Sequence, residues 1–513
     1  MGNFTVQQAN DYIKKNEHLV LQDYRPGFHY AADIGWLNDP NGFSFFAGDY
    51  HLFYQYHPYQ AAPGPMHWGH AKSKDLIQWE SLPVAMAPDA PYDRDGCFSG
   101  TAIEVDGQHV LMYTGHHNPD PEDPGKIRQT QCLAIGDGIT YTKLDENPVI
   151  GSDALPAGAL LQDFRDPKVW RKNGSYYSVI GSRYEDDSGQ ILLYRSSDLR
   201  SWQYVGVMSR SGNKFGKMWE CPDLFEMGDR DVLILSPQFL ERDGERFCNV
   251  HSVTYMIGKL DYETGAYEYE YADELDYGFD YYAPQTLIDD KGRRIIMGWM
   301  QMWDRNIPAA QLGHQWAGMM TLPRVLSLRG NLLYQEPVKE IENYRSHHVT
   351  FKSKLNGKRL LPEMEGSQLE LKVAFKPLGA SKFGLKVRMG KEEETVLLYD
   401  ADNGTFSFDR SRSGHVIQEA PTEGGINGVR TVSVGLEDGI LNLSIFLDLS
   451  SVEIFINDGV KTMTSTIYPS ADSNGIELFS DGEVEVTMDR WNLCHKENSK
   501  RMEENIISHS VSF

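Results

Sequence analysis

Three carboxylates in similar local contexts could carry chemistry in this sequence. Asp39 lies in W-L-N-D-P-N-G at 36–42, Asp166 in F-R-D-P-K-V-W at 164–170 and Glu220 in W-E-C-P-D-L-F at 219–225. In each motif a proline follows the acid and an apolar, strand-like run comes next. N-D-P-N-G alone is also typical of an ordinary turn. Three acids presented alike from distant places, however, predict one site built from repeated units.

Paired carboxylates among aromatic and amide side chains indicate glycoside hydrolysis. One acid must stay ionised to attack or stabilise an oxocarbenium-like centre, and the other must donate a proton to the leaving oxygen. Asn38 and Asn41 flank Asp39 and favour its charged form. Glu220 follows a tryptophan, and this less polar setting predicts a raised pKa and an acid/base role.

The third acid has a charged neighbour. Arg165 precedes Asp166 and predicts that its carboxylate stays ionised and grips adjacent sugar hydroxyls. Trp299, in M-G-W-M-Q-M-W, is the tryptophan that we expect near a sugar. His67 and His70 have no third ligand at a plausible spacing, so no metal is predicted. The sequence has no phosphate loop or dinucleotide fingerprint, and no cofactor is expected.

Length and composition indicate the number of domains and exclude some classes of partner. The 513 residues predict two domains, and a hydrophobic content of 40% is ample for packed cores. The formal net charge of −24 argues against nucleic acid or an anionic membrane as a partner. Five widely spaced cysteines form no disulfide framework, and the N-terminus has no apolar core of signal-peptide length. We therefore expect a soluble cytoplasmic protein, whose oligomeric state the sequence leaves open.

The sequence pattern around the three acids predicts that β-strands position them. Residues 1–24 predict a short helical brace, with Val6, Ala9, Tyr12 and Ile13 at helical spacing. Residues 25–335 show short strands broken by turn residues, without the helices that an α/β barrel would need. The motif S-x-D-L-x-x-W occurs at 73–79 and again at 196–202. Such self-similarity in an all-β chain predicts a propeller.

The number of blades can be counted from the motif at which each blade begins, which we call its opening. N-D-P-N-G and four later motifs recur at intervals that suit four-stranded blades with generous loops. The openings carry Asp39, Ser99, Asp166, Glu220 and Tyr282. We therefore predict a five-bladed β-propeller whose openings converge on the central channel, where distant acids would meet.

The remaining chain predicts a second, all-β domain. Residues 336–350 read as a linker, and residues 351–495 show period-2 alternation with turns every 8–12 positions, which is typical of a β-sandwich. No acid cluster in a site-like context occurs there, so a structural role is expected. The polar residues 496–513 read as a tail.

At this point the motifs resemble glycoside hydrolase family 32, the β-fructofuranosidases. The three acid motifs are similar to the family's signatures, and other stretches agree from about 25 to 495. These stretches are H-L-F-Y-Q-Y at 51–56, H-W-G-H-A at 67–71, C-F-S-G-T at 97–101 and D-L-S-S-V-E-I-F-I-N-D-G at 448–459.

The resemblance implies a five-bladed propeller joined to a β-sandwich, and retaining hydrolysis of a terminal β-fructosyl unit. It implies that Asp39 is the nucleophile, Glu220 the general acid/base and Asp166 the stabiliser of the transition state. It also implies a set of fructose-pocket residues, namely Asn38, Gln55, Phe98, Ser99 and Arg165.

One departure bears on the substrate. Many fructan-cleaving members carry a tryptophan shortly before H-W-G-H-A, and the loop here reads A-A-P-G-P-M. This favours sucrose, its 6-phosphate or short fructo-oligosaccharides over long fructans. A sucrose-6-phosphate hydrolase would need a cation for the leaving group, and Arg94, Lys126 and Arg128 are the candidates. A fructosyltransferase would share the three acids, whereas a non-catalytic fructan-binding protein would have lost at least one.

Overall fold

The computed structural model describes residues 4–419 and 427–493. It begins with helix α1, Val6–Asn16, in the predicted brace, and a 3₁₀ turn follows at Glu17–Leu19. Thr5 caps the helix through a reciprocal capping box with Gln8. The Tyr12 hydroxyl donates to Tyr59 O at 3.2 Å, so the helix braces a loop of the first blade. The predicted tail lies outside the described residues, and within them no helix is long and apolar enough to cross a membrane.

Five four-stranded antiparallel blades form the propeller, which confirms the predicted fold. Blade 1 holds β1 Gly35–Phe46, β2 Asp49–His57, β3 His67–Ser73 and β4 Trp79–Met86. Blade 2 holds β5 Gly96–Val105, β6 Gln108–His117, β7 Arg128–Gly136 and β8 Tyr141–Lys143. Blade 3 holds β9 Ala159–Lys172, β10 Ser175–Tyr184, β11 Gly189–Ser196 and β12 Trp202–Arg210.

Blades 4 and 5 complete the ring. Blade 4 holds β13 Met218–Met227, β14 Arg230–Gln238, β15 Thr254–Leu260 and β16 Tyr267–Glu274. Blade 5 holds β17 Tyr282–Ile288, β18 Arg294–Trp299, β20 Arg324–Arg329 and β21 Leu332–Pro337. Between β18 and β20 the chain forms the short helix α2, Pro308–Gln311, and β19, Trp316–Ala317. Strand β19 pairs in parallel with β1, so a late segment closes the ring on the first blade.

The repeated S-x-D-L-x-x-W motif is one turn used twice, between β3 and β4 and between β11 and β12. In the first copy the Ser73 hydroxyl accepts from the backbone of Leu76 at 2.8 Å, and the Trp79 indole donates to Leu76 O at 2.9 Å. The second copy repeats both contacts with Ser196, Leu199 and Trp202. Leu76 and Leu199 have φ of 69° and 66°. The motif therefore encodes a specific backbone path, because its side chains satisfy the same groups in both blades.

The second domain is a sandwich built on one long strand. Its strands are β22 Arg345–Leu360, β23 Leu369–Pro377, β24 Lys382–Met389, β25 Glu394–Asp400, β26 Thr405–Arg412, β27 Val429–Ser433, β28 Leu441–Asp448, β29 Ser451–Ile456, β30 Lys461–Thr466 and β31 Gly475–Leu493. The first part of β31 pairs with β24 and the last part with β23, so this strand runs through both layers. The connection from the propeller is a 3₁₀ helix at Lys339–Tyr344, and β22 already begins within the segment read as a linker.

Buried ion pairs join the two domains. His29 contacts Asp448 and Glu453 at 2.8 Å each, and no part of these side chains is exposed. Arg324 of blade 5 contacts Asp276 at 3.1 Å and also pairs with Glu453. Because buried charges require partners, these contacts fix how the sandwich sits on the propeller.

Candidate active site

Each innermost strand of the propeller carries one extra residue at the same place along the channel. The extra residue makes a β-bulge, in which two residues of one strand face one residue of its neighbour. The five bulges lie between Leu37 and Pro40, Phe98 and Gly100, Arg165 and Lys168, Glu220 and Asp223, and Tyr282 and Gln285. The sequence predicted turns at these openings, but the motifs lie inside strands as bulges.

The bulges place unusual backbone next to the acids. Asp166 and Cys221 have φ of 66° and 47°, and Ala283 has 49°. Positive φ is uncommon for residues other than glycine, because the Cβ atom crowds the backbone. Prolines lie within three of the bulges and next to a fourth, and they supply no N–H group to the ladder. Asp39, Ser99, Asp166, Glu220 and Tyr282 all lie in or beside these five bulges, as the predicted blade openings required.

The Asp39 carboxylate is held by neutral donors. Ser99 Oγ donates to Oδ2 at 2.8 Å and Asn38 Nδ2 to Oδ1 at 3.1 Å. Asn38 is itself fixed by the Trp36 indole, which donates to Oδ1 at 2.7 Å. Burial and the nearby charge of Glu220 raise the pKa of Asp39 to about 6, although the donors oppose this rise.

Glu220 carries the main charge contact of the site. Arg165 donates to Glu220 Oε1 from Nε at 3.1 Å and from Nη2 at 2.9 Å. The Tyr282 hydroxyl donates to Oε2 at 2.6 Å. Burial alone would raise the pKa of Glu220, but Arg165 and Tyr282 outweigh it and lower the pKa. The prediction of a raised pKa for Glu220 is therefore wrong. The residues next to Glu220 in the sequence indicated neither the arginine contact nor the phenol contact.

Asp166 shares the Cys221 thiol with Asp39 and is subject to the charges of both other acids. Its Oδ2 accepts from the Cys221 backbone at 3.0 Å, and the Cys221 thiol lies 3.6 Å from it and 3.7 Å from Asp39 Oδ2. Arg165 Nε is 4.0 Å away, farther than from Glu220. Burial raises the pKa of Asp166 to about 7, since the charges of Glu220 and Asp39 offset much of the effect of Arg165. The expectation that Arg165 keeps this acid ionised is also wrong, because the guanidinium is engaged elsewhere.

Arg165 is shared among several acceptors. It also contacts Asp163 Oδ1 at 2.8 Å, and Asp163 in turn binds Arg183 at 2.7 Å. The side chains of Arg165, Asp166 and Glu220 are 11%, 7% and 15% exposed. A single arginine therefore faces a cluster of three carboxylates that solvent or a substrate can reach.

The predicted sugar-binding residues line the same region, with one difference. Gln55 is buried and donates to Cys97 O at 3.0 Å, and Phe98 is partly exposed and stacks on His116 at 4.2 Å. Trp299, expected near a sugar, has no exposed surface and packs behind Trp36 at 5.7 Å. Trp36 and the tryptophans packed against it form an aromatic wall, and Trp299 supports this wall from behind because β18 lies one strand away from the channel.

Several residues of the site were not predicted from sequence as functional. Tyr282 was identified only as a blade opening, yet its hydroxyl binds Glu220. Thr114 Oγ1 accepts from the Asp166 backbone at 3.0 Å and so supports that bulge. Trp303 stacks on Trp36 at 5.9 Å and extends the wall. Only the position of Tyr282, beside a proline at the fifth opening, could have indicated such a role.

The arrangement has the parts that an acid/base reaction at a sugar requires. One carboxylate is held by neutral donors, a second is bound by a phenol and a guanidinium, and a third accepts from the backbone of Cys221. Raised and lowered pKa values among adjacent acids are typical of catalytic sites.

Comparison with known proteins agrees with this geometry. Residues 29–337 match the glycosyl hydrolases family 32 N-terminal domain, and residues 338–492 match the family 32 C-terminal domain. The chain belongs to glycoside hydrolase family 32. It is a glycoside hydrolase of the β-fructofuranosidase type.

Similar proteins cover almost the whole chain. A sucrose-6-phosphate hydrolase of Zymomonas mobilis is 39% identical over 507 residues, which are 95% of this chain and 96% of that protein. A raffinose invertase of Escherichia coli is 40% identical over 463 residues, 89% and 92% of the two chains. The structure of a Bombyx mori β-fructofuranosidase mutant in complex with sucrose has a TM-score of 0.82 at 34% identity, covering 95% and 98%.

Proposed function

We propose that this family 32 enzyme hydrolyses sucrose and short fructo-oligosaccharides at a terminal β-fructofuranosyl unit, by double displacement. The observation that carries the proposal is the meeting of Asp39, Asp166 and Glu220, from three blades, around one arginine and one thiol. Two carboxylates with different surroundings are what a retaining mechanism requires.

The surroundings of each acid support its role. Asp39 has neutral donors and, within the described residues, no cation in contact, so its carboxylate can attack C2 of the fructosyl unit. Glu220 gives its proton to the glycosidic oxygen, and the leaving sugar departs. Glu220 then takes a proton from water, which attacks C2 and releases fructose from Asp39. Asp166 accepts hydrogen bonds from fructose hydroxyls.

Substrate binding would redistribute the site's proton. Burial raises the pKa values of Asp39 and Asp166, whereas Arg165 and Tyr282 lower the pKa of Glu220, so the shared proton lies on one of the two aspartates. Fructose hydroxyls that donate to Asp166 stabilise its ionised form, which leaves the proton to Glu220. The enzyme then holds the ionised nucleophile and the protonated acid that the first step needs.

Charges at the mouth of the channel support a neutral substrate. Because each second strand runs antiparallel to the first, the loops that follow β2, β6, β10, β14 and β18 surround the mouth. Acidic side chains predominate in these rim loops, namely Asp120, Glu122, Asp123, Glu185, Asp186, Asp187, Glu241, Asp243, Glu245 and Asp304. The basic ones are Lys126, Arg242, Arg246 and Arg305. An acidic rim repels a dianionic substrate and does not oppose a neutral disaccharide.

A sucrose-6-phosphate hydrolase is the second candidate, and one residue favours it. Lys126 is paired with Asp120 at 2.7 Å, Arg94 lies 3.7 Å from Asp95, and Arg128 donates to the backbone carbonyls of Gly125 and Ile127. Arg242 also donates to a backbone carbonyl, Gly244 O at 2.7 Å, but it is exposed, and within the described part of the chain no carboxylate lies within 4 Å of it. It is the rim cation best able to receive a phosphate.

The deciding experiment compares kcat/KM for sucrose, sucrose 6-phosphate and 1-kestose, with Glu220→Gln as the blank. We expect sucrose to be at least as good a substrate as its 6-phosphate. A preference of about tenfold or more for the phosphate, abolished in Arg242→Ala, would establish the second candidate instead. Mass spectrometry after denaturing quench tests the mechanism, because a fructosyl adduct should form on wild-type protein and not on Asp39→Asn.

A further inference from the structure

The rim loop of blade 4 presents an aromatic side chain to solvent beside the acid. Phe239 is the first residue after β14, at the end of that strand which pairs with Met218 and Glu220 of β13. Its side chain is 49% exposed, more than any other aromatic in the rim loops. Its φ is 53°, which is unfavourable for a bulky residue.

A histidine connects Phe239 to Glu220. The His251 ring packs edge-on against Phe239 at 4.9 Å and lies 5.8 Å from the Tyr282 ring. Tyr282 donates to Glu220, so only two ring contacts separate Phe239 from the Glu220 carboxylate. His251 and Tyr282 are buried, so Phe239 is the exposed end of a row of three rings that reaches the acid.

The hydrogen bonds of His251 leave one donor available. The Phe239 backbone N–H donates to His251 Nδ1 at 3.2 Å, so the ring proton lies on Nε2. Within the described residues Nε2 has no hydrogen-bond partner. His251 is only 5% exposed, but this nitrogen is not completely enclosed. Burial lowers the pKa of His251, although Glu220 and Asp304 oppose this, so the ring is neutral.

These observations place a sugar-binding surface on the leaving-group side of Glu220. An exposed aromatic ring binds the apolar face of a pyranose, and a neutral N–H donor beside it binds a hydroxyl without attracting anions. We propose that Phe239 and His251 form the subsite for the leaving glucosyl unit, with Phe239 stacking on the ring and His251 Nε2 donating to a hydroxyl. This inference rests on the proposed function, and it adds which residues select the group that departs.

The test compares two substrates that share the fructosyl unit. Sucrose has a glucosyl leaving group, whereas methyl β-D-fructofuranoside has only a methoxy group. Phe239→Ala should lower kcat/KM for sucrose about tenfold, mainly through KM, and change that for the methyl fructoside less than twofold. Phe239→Tyr should retain the sucrose rate, because it keeps the ring. His251→Gln, which keeps an N–H donor, should lose less on sucrose than His251→Ala.

Tyr269→Ala is the matched control, because Tyr269 is 51% exposed on β16, the outer strand of the same blade. It should change neither substrate. Equal losses on both substrates in Phe239→Ala and His251→Ala would mean a structural role, and no loss on sucrose would mean no contact. Either result would overturn the subsite. The wild-type rate on the methyl fructoside separately tests the fructosidase activity, so the two hypotheses can fail independently.

Discussion

The protein buries carboxylates in two regions and stabilises them in opposite ways. At the boundary between propeller and sandwich, Asp448 accepts from the backbone of Gly27 at 2.8 Å and from the His29 ring at 2.8 Å. Burial alone would raise the pKa of Asp448, but these contacts lower it to about 2 and raise that of His29 to about 9. In the channel, burial and mutual repulsion win, and Asp39 and Asp166 have raised pKa values.

The difference lies in the number of cations supplied to each cluster. The boundary places His29 and Arg324 against Asp448, Glu453 and Asp276. The channel gives three carboxylates one contacting arginine, which is already shared with Asp163. Two cations among three acids hold the boundary charges in place, whereas one shared cation among three acids leaves a proton that can move. Burial of an acid in this protein therefore indicates function only where cations are scarce.

Among these tests of the difference between channel and boundary, Glu220→Gln is expected to have the largest effect, and it acts on catalysis. Turnover of sucrose should fall about 10⁴-fold, because proton transfer contributes about 10²–10⁴-fold and the same group acts in both steps. Sucrose binding, measured by calorimetry, should remain within about threefold, since Arg165 keeps its contact with Asp163. Near-normal turnover in the purified variant would remove Glu220 from its proposed role.

Asp448→Asn applies a similar substitution to the boundary. It should lower the free energy of unfolding by about 3–5 kcal/mol at pH 7, because it leaves the buried His29 charge under-compensated. Since the folded-state pKa of Asp448 lies below its unfolded value, its contribution is present above about pH 4 and is lost as the pH falls towards 2. Urea titrations at pH 7 and at about pH 2 measure this, because the difference between wild type and variant should shrink at the lower pH. At pH 7 kcat per folded molecule should not change.

Asp39→Asn should stabilise the folded protein, in contrast to Asp448→Asn. The folded-state pKa of Asp39 lies above its unfolded value, so ionisation costs stability as the pH rises through about 6. The variant should therefore melt about 1–3 °C above the wild type at pH 8 and show no gain at pH 4. A lower melting temperature at pH 8 would mean that the donors around Asp39 outweigh its burial.

The pH profile gives the smallest and most specific effect. The plot of kcat/KM for sucrose against pH should be bell-shaped. Its acid limb should lie near pH 6, where Asp39 ionises, and its alkaline limb near pH 7, where the three acids lose their shared proton. Tyr282→Phe removes a donor to Glu220, which raises the pKa of Glu220. The alkaline limb should move up by about half a unit to one unit. An unmoved limb would show that Tyr282 only positions the carboxylate.

The sequence predicted the blades well because their openings have local signals. The acid–proline motifs fall on the innermost strands of blades 1, 3 and 4, and Ser99 and Tyr282 mark the other two. The repeated turn with Trp79 and Trp202 was recognised because its seven residues determine its own geometry.

What the sequence did not predict depends on contacts between distant residues. Arg165 was assigned to its neighbour Asp166, but in space it binds Glu220, 55 positions away. The second domain was expected to have a structural role, but no sequence pattern indicated the buried charges at its boundary with the propeller, because His29 and Asp448 are 419 positions apart. Burial of Trp299 likewise follows from Trp36 and Trp303 packing over it.

The five bulges have a consequence for how this scaffold can change over evolutionary time. In each innermost strand the pairing resumes within three residues on either side of the extra residue. A substitution at a bulge therefore alters what faces the channel and leaves the hydrogen bonds of the blade in place. Each blade offers one position at which new reactivity or selectivity could be tried while the ring persists unchanged.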